Sequence, residues 1–163
     1  MQKTDILTLF EYNDWANGRI LQTAAKVTPA QFTDPAQVSH GSLRATLVHT
    51  LFAEVIWRMR CQGGQYIAFP VESHYPTLEA LVQHWKTEEQ AMRLYLSTLE
   101  DDDLNKLLKY TTIKGIDYAQ PLWQILAHVV NHGTQHRSEA AVLLTEYGHS
   151  PGDIDMIVYF RTL

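Results

Sequence analysis

Three histidines recur at every fourth position near the end of the chain, at His128, His132 and His136. On a helix, this spacing places the three side chains on successive turns of one side. Two histidines so spaced can direct their imidazole nitrogens at one metal ion, as helical zinc sites do. His128 and His136 are eight residues apart, which is roughly 12 Å along a helix, so all three cannot bind the same ion. One neighbouring pair must form the candidate site.

The apolar periodicity of this segment selects the pair. At about 100° per residue, with Val129 as the reference, His136 lies about 20° from the centre of the apolar stripe and His132 about 60°. His128 lies about 100° away, at the boundary with water. The pattern predicts that His132 and His136 are the buried pair, although a core histidine with a hydrogen-bond partner would give the same pattern. The apolar residues that define the stripe are Leu122, Ile125, Gly133, Ala140 and Leu143.

A third candidate ligand, His49, lies on a different predicted helix. It occupies the centre of an apolar stripe that contains Phe52 and Ile56. Taken alone, His49 reads best as a buried neutral imidazole that is hydrogen-bonded to a neighbour. Together with His132 and His136, it predicts a facial three-nitrogen site that leaves positions open to water or substrate. Imidazole ligands suit zinc, nickel, iron and copper alike, so the sequence does not select the metal.

Composition restricts the class of protein. The chain has 163 residues, which predicts one domain over 1–163. Its net charge of −5 and pI near 5.9 give no basic footprint for nucleic acid or for an anionic membrane surface. No apolar run approaches the roughly 20 residues of a membrane span, and the N-terminus lacks a signal-peptide core. Cys61 is the only cysteine, so a reducing cytoplasm is the expected location.

Apolar periodicity and terminal signals predict four long helices, which makes the expected fold class all-α. A small β-hairpin with its turn at Gly115 is expected before the fourth helix. The residues from 31 to 41 read as a polar connection, and Pro121 fits the first turn of the fourth helix. The link from 65 to 76 is long enough to cross a bundle, and the tail after 148 is expected to pack back on it. The helices are predicted at about 4–26, 42–62, 77–99 and 121–147.

Four polar residues on the predicted helices have two readings each. Asn13 and Asn17 fall inside an apolar face, where they would be either cross-links between helices or part of a polar pocket. Glu88 and Glu89 flank the core face of the third helix. A solvated helix edge is the simpler reading of this pair, and the alternative is a partner to a histidine or a base.

Several stretches of the chain, in this order, resemble signatures of the DinB-like family of metal-binding four-helix bundles. The resemblance covers nearly the whole chain. The sequence YNDWAN at 12–17 is similar to the family's first-helix signature, and SLRATLVH at 42–49 followed by EVIW at 54–57 to its second. The hairpin and PLWQILAHVVNH at 121–132, followed by His136-Arg137, are similar to its fourth, and 148–155 to its closing loop.

The resemblance implies an up-down-down-up four-helix bundle with a long crossover between helices 2 and 3, often dimeric. It implies that nickel, zinc or iron is held by the residues that match here as His49, His132 and His136. Characterised relatives include thiol S-transferases and isomerases that use low-molecular-weight thiols such as bacillithiol or mycothiol. Ser138-Glu139 replace the Gly-Gln that often follows HisArg. Glu139 would face either solvent, the simpler expectation, or the outer shell of the metal.

Three hypotheses about function follow. The first is a cytoplasmic, metal-dependent enzyme with a small-molecule substrate, such as a thiol S-transferase or a hydrolase. Its metal would lower the pKa of a bound water or thiol. The sequence assigns no catalytic side chain, and Cys61 is a poor candidate for a nucleophile. The second is a non-catalytic metal-binding stress-response protein whose closed site needs a fourth ligand such as Glu89. The third is a plain dimerising bundle without metal, which requires the three central histidines to be a coincidence. Trp15 and Trp57 lie off their core stripes, which predicts a homodimer.

Overall fold

The computed structural model describes residues 1–64, 71–112 and 114–163. These residues form six α-helices and one two-stranded antiparallel hairpin, so the protein is predominantly helical as predicted. Two short 3-10 turns, Glu72–His74 and Asp101–Asn105, precede α4 and β1. The elements are α1 (Lys3–Ala24), α2 (Pro29–Thr33), α3 (Leu43–Cys61), α4 (Leu78–Ser97), β1 (Leu107–Thr111), β2 (Asp117–Pro121), α5 (Leu122–Glu146) and α6 (Met156–Phe160).

The four long predicted helices correspond to α1, α3, α4 and α5. Side-chain caps explain where two of them begin. The Ser42 hydroxyl accepts a hydrogen bond from the Ala45 amide at 3.0 Å, and Thr77 accepts one from the Ala80 amide at 3.4 Å. The predicted hairpin is also present, with Tyr110 opposite Tyr118 and Gly115 at a φ of 75° in the turn. Its strands extend to residues 107 and 121.

The prediction was wrong at three connections. The polar connection contains α2, because Thr28 and Gln31 form a reciprocal capping box and Pro29 suits the first helical position. Pro121 has φ −54° and ψ 137°, so it ends β2 in an extended conformation and precedes α5. The acidic run at 100–103, which its composition predicts to be a solvated helix end and loop, instead forms the start of the 3-10 turn Asp101–Asn105. Of the predicted crossing link, residues 65–70 lie outside the described residues.

The core consists of two apolar clusters that share the long helices. The first is centred on Leu47, Leu51 and Trp85, between α3, α4 and the end of α5. The second is centred on Phe10, Met92 and Val129, between α1, α4 and the first half of α5. Because α5 also packs against both α1 and α3, its middle turns lie between the two clusters. The histidine pair of α5 lies on these middle turns.

A buried polar layer separates the two clusters. Arg137, which is 1% exposed, donates from Nη1 to the side-chain oxygens of Asn13 and Asn17 at 2.6 and 2.8 Å. Both asparagines donate from Nδ2 to the same Glu54 oxygen, at 2.9 and 3.0 Å. Asn13 and Asn17 are therefore cross-links between helices, the first of their two predicted roles. Gly133 leaves the space that this network occupies, since an added Cβ would lie 2.7 Å from Arg137 Nη1.

The tail packs back on the helices, as predicted. Tyr159 of α6 is buried, with its ring centroid 5.6 Å from that of Trp15 and 6.0 Å from that of Tyr12. The main chain also holds this segment, since Tyr12 donates from its hydroxyl to the Ile154 carbonyl at 3.1 Å. Among the described residues, no helix has the length and apolar character needed to cross a membrane.

Candidate metal centre

The structure brings His49, His132 and His136 together between α3 and α5. Nε2 of His132 lies 3.1 Å from Nε2 of His49 and 3.2 Å from Nε2 of His136. His136 is 5% exposed and His132 is half-buried, while His128 is exposed. The order of burial therefore follows the angles read from the apolar stripe. His49 is half-buried as well, with its ring pointing at the two histidines of α5.

These separations match those of imidazole nitrogens that share one ion. With metal–nitrogen bonds of about 2.0–2.1 Å, adjacent ligand nitrogens lie about 2.9 Å apart in octahedral and about 3.4 Å apart in tetrahedral geometry. The two separations at His132 Nε2 fall inside that interval. Ring positions agree with this, because the three pairs of centroids are 4.5, 4.6 and 5.0 Å apart. The donor set could hold a divalent transition-metal ion.

Glu139 determines which nitrogen of His136 faces the cluster. Its Oε2 lies 2.9 Å from His136 Nδ1. A carboxylate accepts hydrogen bonds, so Nδ1 carries the proton and Nε2 presents a lone pair. This carboxylate–histidine pairing is typical of metal ligands, whose orientation it fixes. Glu139 was expected to face either solvent or the outer shell of the metal. In the structure it contacts the histidine cluster, so the expectation that it faces solvent was wrong.

A fourth histidine, His40, lies at the same cluster and was not among the predicted site residues. Its ring stacks on that of His49, with centroids 3.8 Å apart and planes at 21°. His40, His49 and His136 each offer a nitrogen within 4.8 Å of the other two. His40 precedes α3 in a loop, where no helical periodicity applies. The one feature of the sequence that could have pointed to His40 is its position two residues before Ser42, the cap of the helix that carries His49.

The electrostatics of the cluster favour neutral imidazoles, the form that binds metals. Burial and, to a smaller extent, the neighbouring histidines lower the pKa of His49 to about 3. Burial and the proximity of His136 lower the pKa of His132 to about 4. The pKa of His40 is also lowered, mainly by burial. Near neutral pH these three rings therefore carry lone pairs available to a cation.

An aromatic wall with one cation borders the cluster on the side of the hairpin. The ring of Trp57 packs at 5.4 Å from His128 and at 5.0 Å from Tyr110. The guanidinium of Arg60 lies 4.7 Å from the Trp57 centroid and 5.3 Å from that of Tyr110. His128 lies outside the cluster, with its exposed ring 5.7 Å from that of His132.

Two other predicted candidates lie elsewhere. Glu88 is 2% exposed and forms a bidentate ion pair with Arg58 at 2.6 Å, so its reading as a solvated helix edge was wrong. Glu89 lines a groove of about 950 Å³ between α1 and α4, where burial raises its pKa to about 7. Cys61 is partly buried, and burial raises the pKa of its thiol to about 12, which fits its prediction as a poor nucleophile.

The groove between α1 and α4 has different chemistry from the histidine cluster. Asp14 and Arg93 form a salt bridge of 2.6 Å there, close to Glu89. Burial of these acids raises the pKa of Asp14 as well as that of Glu89. None of the clustered histidines lines this groove. We therefore identify the cluster on α3 and α5, and not the groove, as the candidate metal centre.

The described residues thus form a predominantly helical protein with a histidine cluster that could hold a metal ion. The sequence profile of the DinB family matches residues 1–162, so the chain belongs to the DinB family, and the resemblance seen in the sequence is confirmed. The protein DinB of Bacillus subtilis (strain 168) is 25% identical over 158 residues, which cover 93% of this chain and 91% of that protein.

A solved structure has a fold similar to that of this chain. The crystal structure of a conserved protein from Enterococcus faecalis superposes with a TM-score of 0.63. The match covers 88% of this chain and 96% of that one, with 13% sequence identity. At this identity the likeness concerns the fold alone.

Proposed function

We propose that this chain is a divalent-metal-binding protein whose ion is held by His49, His132 and His136. The observation that carries this proposal is the convergence of three Nε2 atoms with separations of 3.1 and 3.2 Å at His132. The Glu139 carboxylate supports it, because it fixes the tautomer that presents the His136 lone pair. Membership of the DinB family also fits metal binding. Nickel, zinc and iron are the proposed metals.

We further propose that the protein is a metal-dependent enzyme, with low-molecular-weight-thiol S-transfer as the first reaction to test and hydrolysis as the second. A divalent ion at this site would lower the pKa of a thiol or water that binds beside it. The chain's own contribution is the wall formed by Trp57, Arg60 and Tyr110. Its aromatic faces would exclude water, and the guanidinium of Arg60 would attract an anionic small molecule.

The second candidate function is a non-catalytic metal-binding stress-response protein. One observation favours it: His40 places a further nitrogen within 4.8 Å of those of His49 and His136, which would help to close the site. Glu89, the fourth ligand proposed from the sequence, lines the groove between α1 and α4 instead. A closed site would hold the ion for structure or sensing without turnover.

The proposed architecture is a single-domain four-helix bundle over 1–163, up-down-down-up, with the crossover between the second and third long helices. We propose a cytoplasmic homodimer without nucleic-acid or membrane partners. Trp15 and Trp57 suggested the dimer, and each is half-buried against aromatic residues of its own chain. The dimer therefore depends on the part of each tryptophan that stays exposed. Sedimentation at micromolar concentration is the test, and a monomer mass would remove this proposal.

Metal analysis of protein purified without a histidine tag tests the proposed metal site. We expect about one divalent ion per chain in the wild type and a stoichiometric loss in His49→Ala. His149→Ala is the matched control, since His149 is a half-buried histidine outside the cluster. Wild-type protein that stays metal-free after incubation with nickel, zinc and iron salts would contradict the proposal.

A thiol-transfer assay then separates the two candidate functions. Metal-loaded and chelator-treated protein are each incubated with monochlorobimane and a panel of low-molecular-weight thiols. The enzyme hypothesis predicts thioether formation that depends on the metal for at least one thiol. Full metal occupancy with no acceleration for any thiol would favour the non-catalytic role over S-transfer, and hydrolysis would then be assayed.

A further inference from the structure

The loop that carries His40 is closed by hydrogen bonds of its own. Within it, the Ala36 amide donates to the Gly41 carbonyl at 2.8 Å, and the Gly41 amide donates to the Val38 carbonyl at 3.0 Å. These bonds close a compact turn immediately before Ser42, the cap of α3. His40 therefore approaches the cluster from a defined turn and not from an extended linker.

A second set of contacts ties the same loop to a proposed ligand. The Ser39 hydroxyl donates to Glu139 Oε2 at 2.8 Å. The same carboxylate oxygen accepts a hydrogen bond from His136 Nδ1, at a distance of 2.9 Å between nitrogen and oxygen. One oxygen thus joins the residue next to His40 with the residue that presents a lone pair to the cluster. The loop and the cluster are coupled through Glu139.

The ring of His40 lies against two rings of the cluster. It stacks on His49 at 3.8 Å and meets the ring of His136 edge-on, at 5.0 Å and 62°. Its nearest metal-binding nitrogen is within 4.8 Å of a nitrogen on each of these two residues. Adjacent ligand nitrogens lie about 3.4 Å apart in a tetrahedral site. To share an ion with them, the His40 nitrogen would have to approach those of His49 and His136 by up to about 1.4 Å, and its ring would have to turn out of the stack on His49.

We propose that His40 is a further ligand of the metal, delivered by the loop from 34 to 42, so that the site is built from four imidazole nitrogens. This inference rests on the proposed metal site at His49, His132 and His136. Four nitrogens complete a tetrahedral zinc site. With a metal that accepts five or six ligands, they leave open positions for substrate. A substrate of the zinc form would have to displace His40 or expand the coordination.

The test compares His40→Ala with His128→Ala, a matched control. His128 is a histidine one turn from His132 that the apolar stripe places outside the site. Co²⁺ is the first probe, with its dissociation constant measured by competition against a chelator and its visible absorption recorded in each protein. We expect His40→Ala to bind Co²⁺ at least about tenfold more weakly, because even outer-shell partners contribute that much. Its absorption bands should shift, while those of His128→Ala should stay unchanged.

X-ray absorption of the Zn²⁺-loaded proteins then counts the ligands directly. We expect four imidazole ligands in the wild type and three in His40→Ala. Circular dichroism of His40→Ala and of a second variant, His40→Gln, checks that the fold survives the substitution. Three imidazoles in both proteins, or an unchanged affinity and spectrum in His40→Ala, would overturn the role of His40 and leave the three-histidine site intact. Wild-type protein that binds neither Co²⁺ nor Zn²⁺ would overturn both proposals.

Discussion

Two glycines in helix interiors allow a sharp test of the buried polar layer. Gly18 of α1 has free space where a Cβ would lie, with nothing within 4 Å. Gly133 of α5 has none, since its Cβ would lie 2.7 Å from Arg137 Nη1 and 2.9 Å from Asn13 Oδ1. Glycine in a helix interior is about 1 kcal/mol less favourable than alanine. Gly18→Ala should therefore stabilise the protein by about 1 kcal/mol.

The same substitution at Gly133 should have the opposite sign. The helix gains the same increment of about 1 kcal/mol, but the new methyl must displace a guanidinium nitrogen that donates to Asn13 and Asn17. Hydrogen bonds to buried charged groups contribute about 1.5–3 kcal/mol, and overpacking adds about 1–3 kcal/mol. After subtraction of the helix gain, we expect Gly133→Ala to lower the free energy of unfolding by about 1.5–5 kcal/mol.

Thermal and urea unfolding with excess chelator measure both variants without a contribution from bound metal. At about 2–4 °C per kcal/mol for a chain of this size, Tm should rise by about 2–4 °C in Gly18→Ala and fall by about 3–20 °C in Gly133→Ala. In an Arg137→Met background, the loss caused by Gly133→Ala should shrink by more than about 1 kcal/mol. Equal stabilisation by both alanines would show that the guanidinium does not occupy this space.

Four further predictions use single measurements. Metal should be lost in His132→Ala and kept in His128→Ala, and the reverse result by elemental analysis would mean that the wrong pair was selected. The metal-free protein should lose stability as pH falls from about 6.5 towards 4. The pKa values of His49 and His132 are lowered in the folded chain, so the unfolded chain binds protons that the folded chain excludes. A flat Tm over that range would contradict this prediction. Burial raises the pKa of Glu54 from its ordinary value of 4.5 to about 7, so between these pH values the folded chain keeps a proton that the unfolded chain loses. The advantage of the wild type over Glu54→Gln in free energy of unfolding should therefore shrink as pH rises from about 4.5 to 7 in denaturant titrations, and a constant difference would contradict this. Burial raises the pKa of the Cys61 thiol to about 12, so Cys61 should resist iodoacetamide at pH 8 in native protein and react in urea. Mass spectrometry measures the labelling, and rapid labelling of the native protein would refute the prediction.

Helical periodicity predicted the elements and the positions of three histidines because both depend on which side of a helix is apolar. His136 at the centre of its stripe is buried, His132 on the shoulder is half-buried, and His128 at the edge is exposed. This information is local, since it needs only the 3.6-residue repeat. Whether His49 faces the α5 pair is a tertiary question. The sequence raised it because three histidines occupied apolar stripes and because the family resemblance pointed to the same three residues.

Residues whose positions depend on loops or on partners in distant segments could not be predicted. His40 lies in a loop that has no repeat, and its approach to His49 results from the turn that precedes α3. Glu88 was read as solvated because nothing local to α4 indicates Arg58, which is thirty residues away. The roles of Asn13 and Asn17 stayed open for the same reason, because their partners come from α3 and α5.

The polar layer and the candidate metal centre use adjacent faces of the same turns of α5. His132 and His136 face α3, whereas Gly133 and Arg137, one residue further in each case, face the asparagines of α1. Side chains extend about 5–6 Å from a helix axis, so a 10° rotation of α5 would move the ligand nitrogens by about 1 Å. Binding sites tolerate displacements of about 0.5 Å. Because that rotation would also break the buried hydrogen bonds of Arg137, the network restricts the histidines to the geometry in which their nitrogens converge.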